Sequence, residues 1–210
     1  MACMQMILDF QWNIDFSESS FFVNETNRHV ISWIKSQNMW NYHTILIGQP
    51  KSGKTHLAHI WKKLTNASFI KNVQNIDYTQ PLIIDKIESF IQEDIFNILF
   101  NSMHHKTHTL WLIENSNILK QFIPDIQSRF NTMTSMHIPS PTEEICIEIM
   151  RKMSIDFGLD IHDDVFQFLI KRIKRSYVDV FNVISHINMQ CMLQRKAPSL
   201  IFISSILHMI

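Results

Sequence analysis

Glycine is almost missing from this chain, and two of its three glycines, Gly48 and Gly53, lie within one short stretch. That stretch, Gly48-Gln49-Pro50-Lys51-Ser52-Gly53-Lys54-Thr55, follows the apolar, β-branched run Thr44-Ile45-Leu46-Ile47, which reads as a buried strand. Lys54 to Leu64 comes next, with Leu57, Ala58 and Trp61 on one side of a helix. Strand, glycine-bounded loop and helix are the context that the pattern GxxxxGK[ST] requires in order to hold phosphate. Backbone N–H groups of the loop and helix start would cradle phosphate oxygens. Lys54 would bring a point charge to them, and the Thr55 hydroxyl would ligate Mg²⁺. Gly48 through Thr55, with His56 behind them, form the expected cofactor-binding set.

The rest of the chain supports a sheet around that loop. Ser68–Ile70, Leu82-Ile83-Ile84-Asp85, Thr109–Ile113 and residues 134–138 read as further short strands. A helix is expected from an Asn24 cap to Gln37, and another over 88–103, where Ile91, Ile95 and Ile98 share a face. Strands alternating with helices indicate an α/β parallel sheet covered on both faces. After Ile138 the pattern becomes helical. Ser140-Pro141-Thr142-Glu143 reads as an N-cap, a proline at the first helical position and the acid of a capping box. Helices are expected at about 142–156, 162–173 and 177–193, and a last one after Pro198 and Ser199. The expected boundary falls near 139: a nucleotide-binding core over 16–139 and a small all-helical lid over 140–210.

Composition narrows the function classes. Forty-six per cent hydrophobic residues exclude a disordered tail. Zero net charge speaks against a protein whose own task is gripping DNA. The start lacks a basic stretch followed by a long apolar run, so no signal peptide is expected. Cys3, Cys146 and Cys191 form neither a disulfide framework nor a zinc pattern, which favours a reducing, cytoplasmic setting, and the longest apolar stretch, Leu200 to Ile210, is too short to span a membrane.

Other polar residues find places around the loop. Asp85, closing its strand, is the natural carboxylate for Mg²⁺, making Thr55 and Asp85 the expected metal pair. Lys86 follows where a water-polarising acid would help, and lysine is no base at neutral pH without a large pKa shift. Strong stand-alone hydrolysis is therefore not expected. Glu88 lies two residues further on. Glu114-Asn115-Ser116 ends another strand; any of the three could sense a terminal phosphate or position water, and Asn115 is the preferred candidate. Arg129, in Pro124-Asp125-Ile126-Gln127-Ser128-Arg129-Phe130, is a candidate catalytic arginine.

These residues together resemble a known family. The loop followed by His56-Leu57-Ala58, the segment Ile123 to Arg129 (close to an LPDLxSR pattern) and the helical lid are similar to the AAA+ module of the bacterial initiator DnaA. They resemble more closely its short relatives, the Hda family of regulatory DnaA inactivators. Phe16 to Asn27 is similar to the family's opening segment. The resemblance implies a P-loop NTPase of the AAA+ class holding ADP or ATP with Mg²⁺. It implies that Gln5-Met6-Ile7-Leu8-Asp9-Phe10 docks on the β sliding clamp of DNA polymerase III through Gln5, Leu8 and Phe10. It implies that Arg129 acts in trans to stimulate hydrolysis of ATP bound to DnaA, preventing re-initiation, with DNA reached only through the clamp. The chain departs from the family at Lys86 and at Val178, where a lid arginine is expected; Arg175 stands nearby. No DNA-reading domain is expected after residue 210, and monomer or homodimer stays open.

Other readings remain at this stage: a helicase loader or another DnaA-related factor, a nucleotide-stabilised scaffold, or a P-loop kinase. The last would need lid arginines among Arg151, Arg172, Arg175 and Arg195. His104, His105 and His108 read as a surface turn, and Lys171, Arg172, Lys174 and Arg175 as a solvated helix end.

Overall fold

A computed structural model describes residues 16–36 and 42–207. The expected docking residues Gln5, Leu8 and Phe10 lie outside that range. Five strands form one sheet: β1 (His43–Ile47), β2 (Ser68–Phe69), β3 (Leu82–Ile84), β4 (Thr109–Ile113) and β5 (Thr134–His137), in the order β2-β3-β4-β1-β5. Each neighbouring pair is parallel. Parallel neighbours need crossovers, and helices supply them: α1 (Arg28–Lys35) before the sheet, then α2 (Lys54–Thr65), α3 (Gln92–His104) and α4 (Pro124–Asn131) between strands. Four more follow: α5 (Glu143–Asp156), α6 (Asp163–Ile170), α7 (Tyr177–Gln194) and α8 (Leu200–Ile206). The chain is thus a parallel α/β sandwich of the P-loop NTPase type with a C-terminal helical region. None of its described helices is long and apolar enough to cross a membrane.

Strand side chains alternate between the two faces. Leu46, Ile83, Leu110 and Leu112 meet Val30, Ile34, Leu57 and Trp61 from α1 and α2. Ile45, Ile84, Trp111 and Ile113 meet Ile95, Ile98, Ile126 and Phe130 from α3 and α4. A third cluster, built on Cys146, Met150, Phe166, Leu169, Val180, Ile184 and Ile203, holds α5 to α8 together. Ile145 and Tyr177 belong instead to the α1–α2 side of the sheet, so the first turns of α5 and α7 stitch the helical region to the sandwich.

Three helix starts differ from expectation. Helix α1 begins at Arg28; Asn24 turns the chain before it, its side-chain oxygen accepting from the Thr26 N–H at 3.0 Å. An asparagine that bonds its own backbone two residues on favours a turn over a helix. The helix expected at 88 begins at Gln92, because Lys86 is left-handed (φ 55°) and Ile87–Ser89 is a separate 3₁₀ turn. Helix α5 is capped by Thr142, whose hydroxyl accepts from the Ile145 N–H at 3.3 Å. Pro141 precedes this cap and disfavours helical backbone at Ser140. The Ser140 hydroxyl instead accepts from Gln49 Nε2 at 3.2 Å, a bond back to the glycine-bounded loop.

Candidate functional site

The loop leaves β1 under tight steric control. Gly48 N–H donates to the carbonyl of Ile113 at the end of β4, 3.1 Å away. A Cβ on Gly48 would lie 2.6 Å from Ser52 Oγ and 3.1 Å from Ile138 Cβ, so a larger residue would have to push these two side chains aside. Gly53 stands at φ +91°, with the Phe21 ring 2.8 Å from where its Cβ would be. Glycine is required there on both counts. Lys51 is also left-handed, at φ 64°. Such non-glycine conformations persist only where the surroundings hold them.

At the start of α2, Lys54 Nζ donates to the carbonyls of Gly48 (2.7 Å) and Gln49 (3.0 Å). Burial lowers the Lys54 pKa from its ordinary value, and the charges of Glu114, Asp85 and Glu88 oppose that shift, in that order. The Thr55 hydroxyl donates to Asp85 Oδ2 at 3.0 Å, so the expected metal pair is brought together. One hydroxyl and one carboxylate suit Mg²⁺, which keeps water and phosphate oxygens as its remaining ligands. Ser52 Oγ is buried with no hydrogen-bond partner among the described residues. A buried unpaired hydroxyl under a loop whose glycine leaves no room for a side chain fits a phosphate cradle. Among the described residues, no group of three or more His, Cys, Asp and Glu side chains forms another metal cluster.

Beside the loop lies a cleft of about 510 Å³ between the sandwich and the helical region. Phe21, His56, Ile149, Tyr177 and Phe181 are among its walls. His56 Nε2 lies 2.7 Å from the Ser17 carbonyl, and its ring meets Phe21 edge-on at 5.4 Å; it fixes the opening segment against α2. Lys51 Nζ sits 3.9 Å above the Phe181 ring of α7, a cation–π contact joining loop and helical region. Pro50 is exposed in the loop, and Gln49 is engaged with Ser140.

The remaining sequence candidates lie as follows. Asn115 caps the 3₁₀ turn after β4, its side-chain oxygen accepting from the Asn117 N–H at 3.0 Å. Its neighbour Glu114 is the acid that Lys54 feels most, a distinction three adjacent polar residues do not reveal in sequence. Arg129 lies in the last turn of α4. Its Nε reaches Asp125 Oδ2 at 3.5 Å and its Nη1 reaches Met103 Sδ at 3.1 Å, so both of these contacts are away from its own phosphate loop. Val178 occupies the first turn of α7, while Arg175 pairs with Glu143 at 2.9 Å. The Lys51–Phe181 contact had no signal in the sequence, because it joins residues from two separate packing units.

Comparison with known proteins bears on the fold. No protein-family model matches the chain. An uncharacterised protein of Haemophilus influenzae is 22% identical over 77% of this chain and 80% of its own length. Domain III of DnaA from Thermotoga maritima superposes with a TM-score of 0.72 at 18% identity, covering 94% of this chain and 97% of that one. AMPPCP-bound DnaA from Aquifex aeolicus gives 0.63 at 17% identity over 86% and 67%. The Holliday junction branch migration motor RuvB of Thermotoga maritima gives 0.66 at 15% identity over 93% and 72%. The chain has the AAA+ fold that DnaA and RuvB share. At these identities the likeness speaks for fold alone, and it does not single out the Hda family.

Proposed function

We propose that this chain is a nucleotide-binding AAA+ module of the DnaA-related kind, working in replication. It binds ADP or ATP with Mg²⁺ at Gly48–Thr55 and Asp85. Its effect falls on a partner's nucleotide through Arg129. The observation that carries this reading is a division between two sites. Lys54, Thr55 and Asp85 converge under the loop, while Arg129 is held on α4 by Asp125 and Met103. An arginine so placed serves a neighbouring molecule more readily than its own loop. A trans arginine that stabilises charge on a transferring phosphoryl group is worth about 10³ to 10⁵ in rate in other phosphoryl-transfer proteins.

The finer form of the proposal is Hda-like: the partner is DnaA, the chain reaches it on the DNA-loaded sliding clamp through Gln5, Leu8 and Phe10, and the result is ADP-bound DnaA. In support, Ile123 caps α4, Pro124 opens it, and Arg129 stands partly exposed in its last turn. The test is ATP hydrolysis by DnaA with this protein and DNA-loaded clamp. Acceleration is expected, and Arg129→Ala should abolish it while clamp pull-down stays intact. No acceleration by the wild-type protein would remove the Hda-like form.

The broader alternative is another DnaA-related replication factor, such as a helicase loader. The near-equal likeness to DnaA and RuvB favours keeping it. Binding to helicase with no effect on DnaA hydrolysis would select it. A kinase reading gains nothing from the helical region: Arg151 pairs with Glu148 and Asp163, Arg172 stacks on Phe168, and Arg175 pairs with Glu143.

A further inference from the structure

Hydrolysis at a phosphate loop is helped by a group that orients the attacking water or accepts its proton. The residue after Asp85 does not supply it. Lys86 is cationic, and its left-handed backbone opens the 3₁₀ turn, its carbonyl accepting from both the N–H and the hydroxyl of Ser89 at 2.8 Å. Asp85 is engaged by Thr55. Asn115 is engaged in capping its own turn.

Glu114 stands directly after the neighbouring strand, β4, and is exposed. Strands β1 and β4 are parallel and in register from His43↔Thr109 to Ile47↔Ile113, and Gly48 N–H continues the ladder onto the Ile113 carbonyl at 3.1 Å. Glu114 is therefore the residue beside Gly48, one strand over. The Gly48 carbonyl in turn holds the Lys54 ammonium at 2.7 Å. Glu114 thus leaves the strand next to the one that runs into the lysine-holding loop, at the strand ends where open parallel sheets bind their ligands. Glu114 is exposed, so it is open to water. Its charge is also the foremost acidic influence on Lys54.

We infer that Glu114 is the general base of a slow hydrolytic activity in cis, taking the place that Lys86 leaves unfilled; this rests on the nucleotide-binding reading above. The water oxygen bonds to the terminal phosphorus as Glu114 accepts one water proton. The bond from that phosphorus to the bridging oxygen breaks, its electron pair leaves with the diphosphate, and ADP and inorganic phosphate result. A carboxylate so placed also repels the terminal phosphate while ATP is bound, and has less to repel in ADP.

The experiment pairs phosphate release with equilibrium binding of fluorescent ATP and ADP analogues, for wild type, Glu114→Gln and Glu88→Gln. Wild type should bind both nucleotides and hydrolyse ATP slowly. Glu114→Gln should lower hydrolysis by about 10² or more. Its affinity for ATP should rise about tenfold relative to ADP, because a nearby negative charge is gone. A residue with a merely structural role would weaken both nucleotides together. Four results would overturn the assignment: ATP binding by wild type without hydrolysis, unchanged hydrolysis in Glu114→Gln, an unchanged ATP-to-ADP ratio in that variant, or loss of hydrolysis in Glu88→Gln alone. A wild-type protein that binds neither nucleotide would overturn the nucleotide reading itself and this assignment with it.

Discussion

The α/β part and the helical part of this chain use their polar side chains in opposite ways. Beyond the strand ends, Lys54 and Thr55 at the start of α2 reach Gly48 and Asp85, and Lys54 feels the charge of Glu114 after β4. In the helices, the arginines pair within the helical region itself, Arg151 with Asp163 and Arg175 with Glu143, while Lys152 and Glu144 reach only the opening segment, at Ser20 and Asn24. What those helices offer the site is shape and grip: a wall of the cleft, and Phe181 beneath the Lys51 ammonium. The difference teaches where chemistry is easiest to build. A parallel sheet fixes several strand ends side by side through its ladder, so polar groups there are placed by hydrogen bonds rather than by side-chain packing.

The largest effect that separates the two parts should come from Phe166, fully buried in the helical cluster and remote from the loop. Phe166→Ala should cost about 3 to 5 kcal/mol by loss of burial and creation of a cavity. The described tryptophans Trp33, Trp61 and Trp111 lie in the sandwich and none follows residue 140, so tryptophan fluorescence does not follow the helical part, while circular dichroism follows both. In this variant, helix loss should precede the fluorescence change on adding urea. Coincident transitions would show that the stitching by Ile145 and Tyr177 makes one cooperative unit.

A smaller effect should appear with alkali, again in the helical part. Burial pushes the Cys146 thiol up to about 11 and the Tyr177 phenol up to about 12. Both groups keep their proton in the folded state after the unfolded chain has lost it. Their contribution to stability is therefore complete below pH 9.0 and is lost as pH rises through 11 to 12. Melting temperature against pH should fall over that window, and Cys146→Ala should flatten its lower part. The smallest effect crosses the boundary: Lys51→Ala should cost about 0.5 to 1 kcal/mol through the lost cation–π contact. It should also loosen nucleotide binding slightly. No change in either would mean that the loop and the helical region do not communicate through this pair.

The two parts were also unequally legible in the sequence. Gly48 and Gly53 announced the loop because a glycine-poor chain keeps glycine only where backbone must bend or approach closely, and the observed φ of Gly53 and the crowding at Gly48 agree. The buried strands were readable from their apolar runs, and Asp85 from its place at a strand end. The sequence pointed to Asn115 over its neighbour Glu114. The choice depends on the β1–β4 register and on a local capping bond that claims Asn115. Helix starts were misplaced wherever a side chain or a proline offered the backbone another turn, as at Asn24 and Pro141. The partners of Lys51 and Gln49 were hidden because Phe181 and Ser140 lie far along the chain, in α7 and in the segment that leads into α5.

Equilibrium binding of ADP and ATP to Lys54→Ala, with and without Mg²⁺, tests the central claim most directly. Wild type should bind both, with Mg²⁺ strengthening ATP most. The variant, folded by circular dichroism, should lose on the order of 100-fold in affinity for each, since charged hydrogen bonds to phosphate are removed. Equal binding by wild type and Lys54→Ala, or no binding by wild type at all, would contradict the phosphate site on which everything else here depends.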